Sequence, residues 1–191
     1  MQSSAIAKDI LAHAAAQQSG RRPFLIAIDG RCAAGKSTLG MQLAACGCTV
    51  IPMDHFFLRP EQRTPSRFQE PGGNVDRERF LADVLPPLRA GRAFSYRPFD
   101  CHTLSLAAPL AVAPADVCVV EGSYSCHPAM RAFYDLTVFL DVSPDEQLRR
   151  IRARSGEEDA RRFAERWIPL EERYFAALDV RAHCALYYLS E

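Results

Sequence analysis

The residues Gly30-Arg31-Cys32-Ala33-Ala34-Gly35-Lys36-Ser37 fit the pattern G-x-x-x-x-G-K-S/T. They follow the apolar run Phe24-Leu25-Ile26-Ala27-Ile28 and precede a helical pattern over 37–45, which is the strand-to-helix setting this motif requires. Each residue type has a physical use. Glycines let the backbone curl so that successive N–H groups point inward, and the new helix adds the positive end of its dipole at the same place. Polyphosphate fits such a concavity. Gly30, Ala33, Ala34, Gly35, Lys36, Ser37 and Thr38 are therefore the expected nucleotide-binding set. Lys36 would reach the β and γ phosphates, and the Ser37 hydroxyl would bind a bridging Mg²⁺. Of 23 basic residues only Lys8 and Lys36 are lysine, so one of the two stands at the phosphate-binding position.

Two carboxylates are placed to complete this chemistry. Asp54 follows the run Cys48-Thr49-Val50-Ile51, at a strand end that faces the same crevice, where phosphoryl transfer needs a group to orient and deprotonate a hydroxyl. Asp54 could instead serve only as a turn or helix-capping residue. His55, beside two phenylalanines, reads as a packed or hydrogen-bonded histidine. Glu121 closes the run Val117-Cys118-Val119-Val120 and would reach the metal, with a buried structural carboxylate as the bland reading.

The elements that position these groups follow from periodicity. The runs at 24–28, 48–51, 117–120, 136–140 and 185–189 lack polar alternation, as parallel strands covered on both faces do. Helical patterns cover about 4–18, with Ser19-Gly20 as a stop, and 37–45, 76–85, 144–154 and 157–178. The expected fold is α/β, a three-layer P-loop NTPase sandwich with a five-stranded parallel sheet and helices on both faces. Residues 1–191 read as one domain. Insertions at 59–75 and 92–114 leave the sheet and are natural substrate-binding elements or plain surface loops. A short lid is expected near 149–160.

In that lid Arg149, Arg150, Arg152 and Arg154 could neutralise charge on a transferring phosphoryl group. The spacings Asp145 to Arg149 and Glu146 to Arg150 equally suit surface ion pairs. Arg154, next to the Ser155-Gly156 hinge, is the arginine singled out for catalysis. The stretch Glu61-Gln62-Arg63-Thr64-Pro65-Ser66-Arg67 could hold an anionic or polar acceptor or be a solvated loop. Trp167 and Tyr174, seven apart on one helix, read as core.

Composition excludes other classes. A formal net charge of zero, 23 basic against 23 acidic residues, gives nucleic acid no field to follow. No apolar stretch approaches a membrane span, and residues 1–22 carry no secretory pattern, so a cytoplasmic protein is expected. Seven scattered cysteines read as reduced thiols without zinc-site spacing. The guanine-reading N/T-K-x-D and the transporter L-S-G-G-Q are both missing, and the chain is short for a ring ATPase. What remains is an ATP- and Mg²⁺-dependent small-molecule kinase, with a nucleotide-binding regulatory module as the competitor from another class. Homo-oligomerisation is left open.

The chain resembles the uridine kinase and phosphoribulokinase group, most closely its uridine kinase-like branch, from about Phe24 onward. The resemblance is carried by Ile28-Asp29-Gly30, Met53-Asp54-His55-Phe56-Phe57, Glu70-Pro71-Gly72-Gly73-Asn74-Val75-Asp76, Tyr96-Arg97-Pro98-Phe99-Asp100-Cys101-His102, Val120-Glu121-Gly122-Ser123-Tyr124 and Trp167-Ile168-Pro169-Leu170-Glu171. It implies Asp54 as catalytic base and Glu121 as a metal-associated glutamate. It further implies Glu70 on ribose hydroxyls and Tyr96 and His102 as readers of a nucleobase, and hence a nucleoside such as uridine as acceptor. A sugar phosphate or vitamin-like alcohol is the alternative.

Overall fold

The structure is a computed structural model that describes residues 3–17 and 23–190. In chain order its elements are α1 (Ser3–Gln17), β1 (Phe24–Gly30), α2 (Lys36–Ala45), β2 (Thr49–Pro52), α3 (Pro65–Gln69), α4 (Arg77–Asp83) and α5 (Leu85–Arg89). Then follow β3 (Phe94–Tyr96), β4 (Phe99–Asp100), β5 (Ser105–Leu106), β6 (Leu110–Val112), β7 (Val117–Glu121), α6 (Pro128–Arg131), β8 (Leu136–Asp141), α7 (Pro144–Arg162), α8 (Ile168–Ala177) and β9 (Leu186–Leu189).

The five predicted strands form one sheet, in the order β2-β7-β1-β8-β9, and every pair is parallel. All seven residues of central β1 are buried, which explains its lack of polar alternation. Its period of two still sorts the core. Phe24, Ile26 and Ile28 join Ile6, Ile10, Leu39 and Leu43 of α1 and α2 on one face. Leu25 and Ala27 join Phe80, Leu85, Leu88 and Tyr174 of α4, α5 and α8 on the other. The result is the expected three layers, with β1 delivering its loop to the middle of the sheet's carboxyl edge.

Two expected helices are built differently. The pattern over 76–85 becomes α4 and α5 with a break at Val84, because Pro86 and Pro87 offer no N–H to continue the ladder. The two helices expected at 144–154 and 157–178 become α7, interrupted at Gly156 (φ 85°, ψ 175°), a widened π turn over Phe163–Trp167, and α8. The Ser19-Gly20 stop of the first helix and its last expected residue, Gln18, lie outside the described residues.

The whole stretch from Met53 to Asp116 is an excursion between β2 and β7, which pair with each other from Thr49↔Cys118 to Pro52↔Glu121. Within it, α3 and the 3-10 turn Pro60–Gln62 fold back through a bridge between Phe57 and Val75. The 92–114 insertion is one long hairpin, with β3 pairing β6 near its base and β4 pairing β5 near its tip. The Thr49 hydroxyl fastens the neck of the excursion, donating to the Ala113 carbonyl (3.0 Å) and accepting from the Ala115 N–H (2.9 Å). Among the described residues no helix is long and apolar enough to cross a membrane.

Candidate active site

The loop after β1 is shaped by residues in left-handed or closely packed backbone positions. At Gly30 (φ 135°) a Cβ would stand 1.9 Å from the Leu140 carbonyl oxygen, so β1 and β8 could not pair around any other residue. Gly35 (φ 98°) caps α2, and Ala33 adopts φ 60°, a left-handed conformation that costs an L-residue about 1–2 kcal/mol. Lys36 is buried, and its Nζ donates to the Gly30 and Arg31 carbonyls at 2.7 Å each. The ammonium is thus already held over the loop.

Distant elements brace that loop. Arg31 pairs with Asp141 at the end of β8 (2.8 Å) and with Glu172 of α8. From α7, Gln147 donates to the Cys32 carbonyl (3.1 Å) and Arg150 to the Ala33 carbonyl (3.3 Å). The buried Glu171 accepts from the Cys32 N–H (3.0 Å) and from the Ser123 hydroxyl (2.5 Å), joining the loops that follow β1 and β7. Asp29, fully buried beside the motif, accepts from the N–H groups of Gly30, Tyr124 and Cys126 and from the Tyr174 hydroxyl (2.7 Å). Burial pushes its carboxyl up, and the Cys126 N–H, the Tyr174 hydroxyl, the Lys36 charge and the Gly30 N–H oppose the shift.

A cavity of about 760 Å³ opens over the loop. Cys32, Ala33, Gly35, Lys36, Ser37 and Thr38 line it from one side, Asp54 and Glu121 from below, and Arg150, Arg154 and Arg162 from α7. Gly30 and Ala34 do not reach it: the Gly30 carbonyl holds Lys36, and Ala34 packs into the core. Asp54 is exposed in the 3-10 turn Met53–Phe56 directly after β2.

Glu121 is 5% exposed and accepts from the Ser37 hydroxyl (3.3 Å). Burial first, then the charge of Asp54, raises its pKa, while Lys36 and Ser37 act the other way. A hydroxyl and two mutually repelling carboxylates make a hard-oxygen donor set that suits Mg²⁺. Among the described residues no group of three or more His, Cys, Asp or Glu could hold a metal by itself.

The structure does not bring the three residues expected to hold a nucleoside to this cavity. Tyr96 is buried, donating to or accepting from His55 Nδ1 at 2.7 Å and packed 5.1 Å from the Phe56 ring, so its hydroxyl is pushed up to about 12 inside the core. His102 is exposed at the tip of the β4–β5 hairpin, with its N–H on Asp100, whereas its neighbours Cys101 and Leu104 do line the cavity. Glu70 is drawn into ion pairs with Arg77 (2.8 Å) and Arg67 (3.5 Å), outside the lining.

The lid arginines divide. Arg149 and Arg152 form surface pairs with Glu146 and Glu157, while Arg150, Arg154 and Arg162 face the cavity. Trp167 is not core as expected; it lines the cavity beneath the Arg166 guanidinium (4.6 Å), because the π turn rotates it away from buried Tyr174. Asp29 and Glu171 were not singled out from the sequence, although a carboxylate closing the apolar run 24–28 was a signal for the first.

Fold and loop together define a three-layer α/β domain built around a P-loop. No protein-family model matches the chain. The fold is shared with the structure of a possible uridine kinase from Bacillus stearothermophilus (TM-score 0.72, 19% identity, 97% of this chain and 96% of the other). It is shared equally with a candidate fructose transport system kinase from Silicibacter sp. TM1040 (TM-score 0.71, 22% identity, 98% and 99%). In sequence the chain is 27% identical over 157 residues to uridine kinase-like protein 4 of Arabidopsis thaliana, which covers 77% of this chain. The chain spans 33% of the length of that curated relative. The chain thus shares its fold with structures described as kinases, and part of its sequence is similar to a uridine kinase-like protein.

Proposed function

We propose that the chain is an ATP- and Mg²⁺-dependent phosphotransferase that moves the γ-phosphate to a hydroxyl of a small molecule. The observation that carries this reading is the convergence of Lys36, Ser37, Asp54 and Glu121 on one cavity. Nucleotide phosphates draw the Lys36 ammonium from its two carbonyl partners, and the loop N–H groups close around them. Ser37 and Glu121 would hold Mg²⁺, which would supply charge neutralisation for the transfer. Asp54 orients the acceptor hydroxyl and takes its proton, and the α7 arginines offset charge on the transferring group. Asp29 positions the loops from outside the cavity, and Glu171, at the cavity wall, ties the loops after β1 and β7 together.

A regulatory module that merely binds ATP has no use for Asp54, and this gives the test. Asp54→Asn should retain ATP affinity and lose roughly 10²–10⁴-fold in turnover; transfer within threefold of wild type would remove Asp54 as the base. Lys36→Ala should lose ATP binding itself, measured by titration calorimetry.

For the acceptor, a nucleoside such as uridine is supported by what the relatives are called. A non-nucleoside alcohol is supported by a different observation, the withdrawal of Tyr96 and His102 from the cavity into the core and onto the hairpin tip. A comparison of uridine with sugar phosphates and vitamin-like alcohols in an ADP-release assay separates the two.

A further inference from the structure

Five arginines line the cavity, more than a triphosphate on a P-loop needs. Two have acidic partners: Arg150 pairs with Glu146, and Arg162 with Glu158 and Asp159. Among the described residues Arg63, Arg154 and Arg166 have no carboxylate partner. Arg154 belongs to α7 with Arg150 and Arg162, on the side of the phosphate loop. Arg63 and Arg166 are anchored differently.

Arg63 stands on the 53–116 excursion, its Nε on the Leu58 carbonyl (3.0 Å) and its guanidinium 5.4 Å over the Phe99 ring. Arg166 is held by ring faces alone, 4.6 Å over Trp167 and 5.4 Å over Phe68 of α3. Both therefore face the part of the cavity built by the excursion, opposite the loop. Among the described residues Arg63 spends only its Nε, and Arg166 no N–H, on a hydrogen-bond acceptor, so each keeps terminal N–H groups for a carboxylate or phosphate. A neutral alcohol would leave these two charges unanswered.

We infer that the acceptor carries an anionic group, phosphate or carboxylate, which Arg63 and Arg166 hold while its hydroxyl meets Asp54. This rests on the kinase reading above and names the acceptor class for the same cavity.

Trp167 is the only tryptophan in the chain and reports on Arg166 directly. The protein, saturated with Mg²⁺ and a non-hydrolysable ATP analogue, is titrated with glycerol, glycerate and glycerol 3-phosphate, one polyol in neutral, carboxylate and phosphate forms. Tryptophan emission should change saturably with at least one anionic form and not with glycerol at equal concentration; the arm that responds names the anion. In calorimetry, Arg63→Met and Arg166→Met should each weaken that binding by roughly tenfold or more and leave analogue affinity within about twofold. An equal response to glycerol, or none to either anion, overturns the inference. So does a loss of analogue affinity in the arginine variants, which would place them on the donor. Failure of the wild type to bind the analogue overturns the kinase reading instead, and is seen before any acceptor is added.

Discussion

Glu121 carries a buried charge that the unliganded protein answers only with one serine hydroxyl and Lys36. Its raised pKa means that the folded state binds a proton more readily than the unfolded chain does. Stability from this group is therefore present at low pH and is lost as pH rises through the window above the ordinary carboxylate value. Two consequences oppose each other. In the absence of divalent cation, Glu121→Gln should raise the Tm at neutral pH, because the amide keeps the Ser37 contact without the charge. The same variant should bind Mg²⁺-nucleotide roughly 10–100-fold more weakly, and a wild-type response to Mg²⁺ would show that Glu121 is structural only. Asp54 and Glu121 could be picked from the sequence because each closes an apolar strand. Asp29 and Glu171 act through loop and helix partners 48 to 145 residues away, and no local pattern records such a distance.

At the scale of elements, α7 is the one whose shape decides whether its arginines meet the cavity together. Gly156 interrupts it in a backbone conformation open only to glycine, and a Cβ there would touch nothing within 4 Å. Gly156→Ala should therefore act through torsion alone, costing about 1–2 kcal/mol or straightening the helix and carrying Arg162 away from Arg150. Turnover should fall while ATP affinity holds; a variant with unchanged Tm and unchanged turnover would rule out this break as a working hinge. Strands were the readable elements, since burial on both faces leaves a continuous apolar run. The π turn at Phe163–Trp167 was not, because it shifts helical phase by one residue without any mark in the sequence, and so Trp167 was taken for core.

Over the whole molecule, acid should loosen the contact between the excursion and α8. His127 lies parallel to the Tyr174 ring at 6.3 Å, with Gly72 pressed against both. Burial, then Arg77 and Arg67, lowers its pKa to about 4. The unfolded chain takes up this proton near pH 6.5, so the stabilising contribution is complete above that value and is lost as pH falls toward 4. His127→Asn, which retains an acceptor for the Ala129 N–H, should flatten this limb of a Tm-against-pH curve; an unaltered curve would assign the acid loss to other groups.

The neck closed by Thr49 has a consequence for descent. Because the excursion leaves and re-enters through two strands that pair with each other, its length can change at little cost to the sheet, loop-closure entropy growing only slowly with chain length. The donor apparatus hangs from β1 and α7, outside that closure. On the function proposed above, loop lengths within 57–75 and at the 101–104 hairpin tip can vary without moving Lys36, Ser37 or Asp54, so changes there should redirect the acceptor while leaving intact how ATP is held.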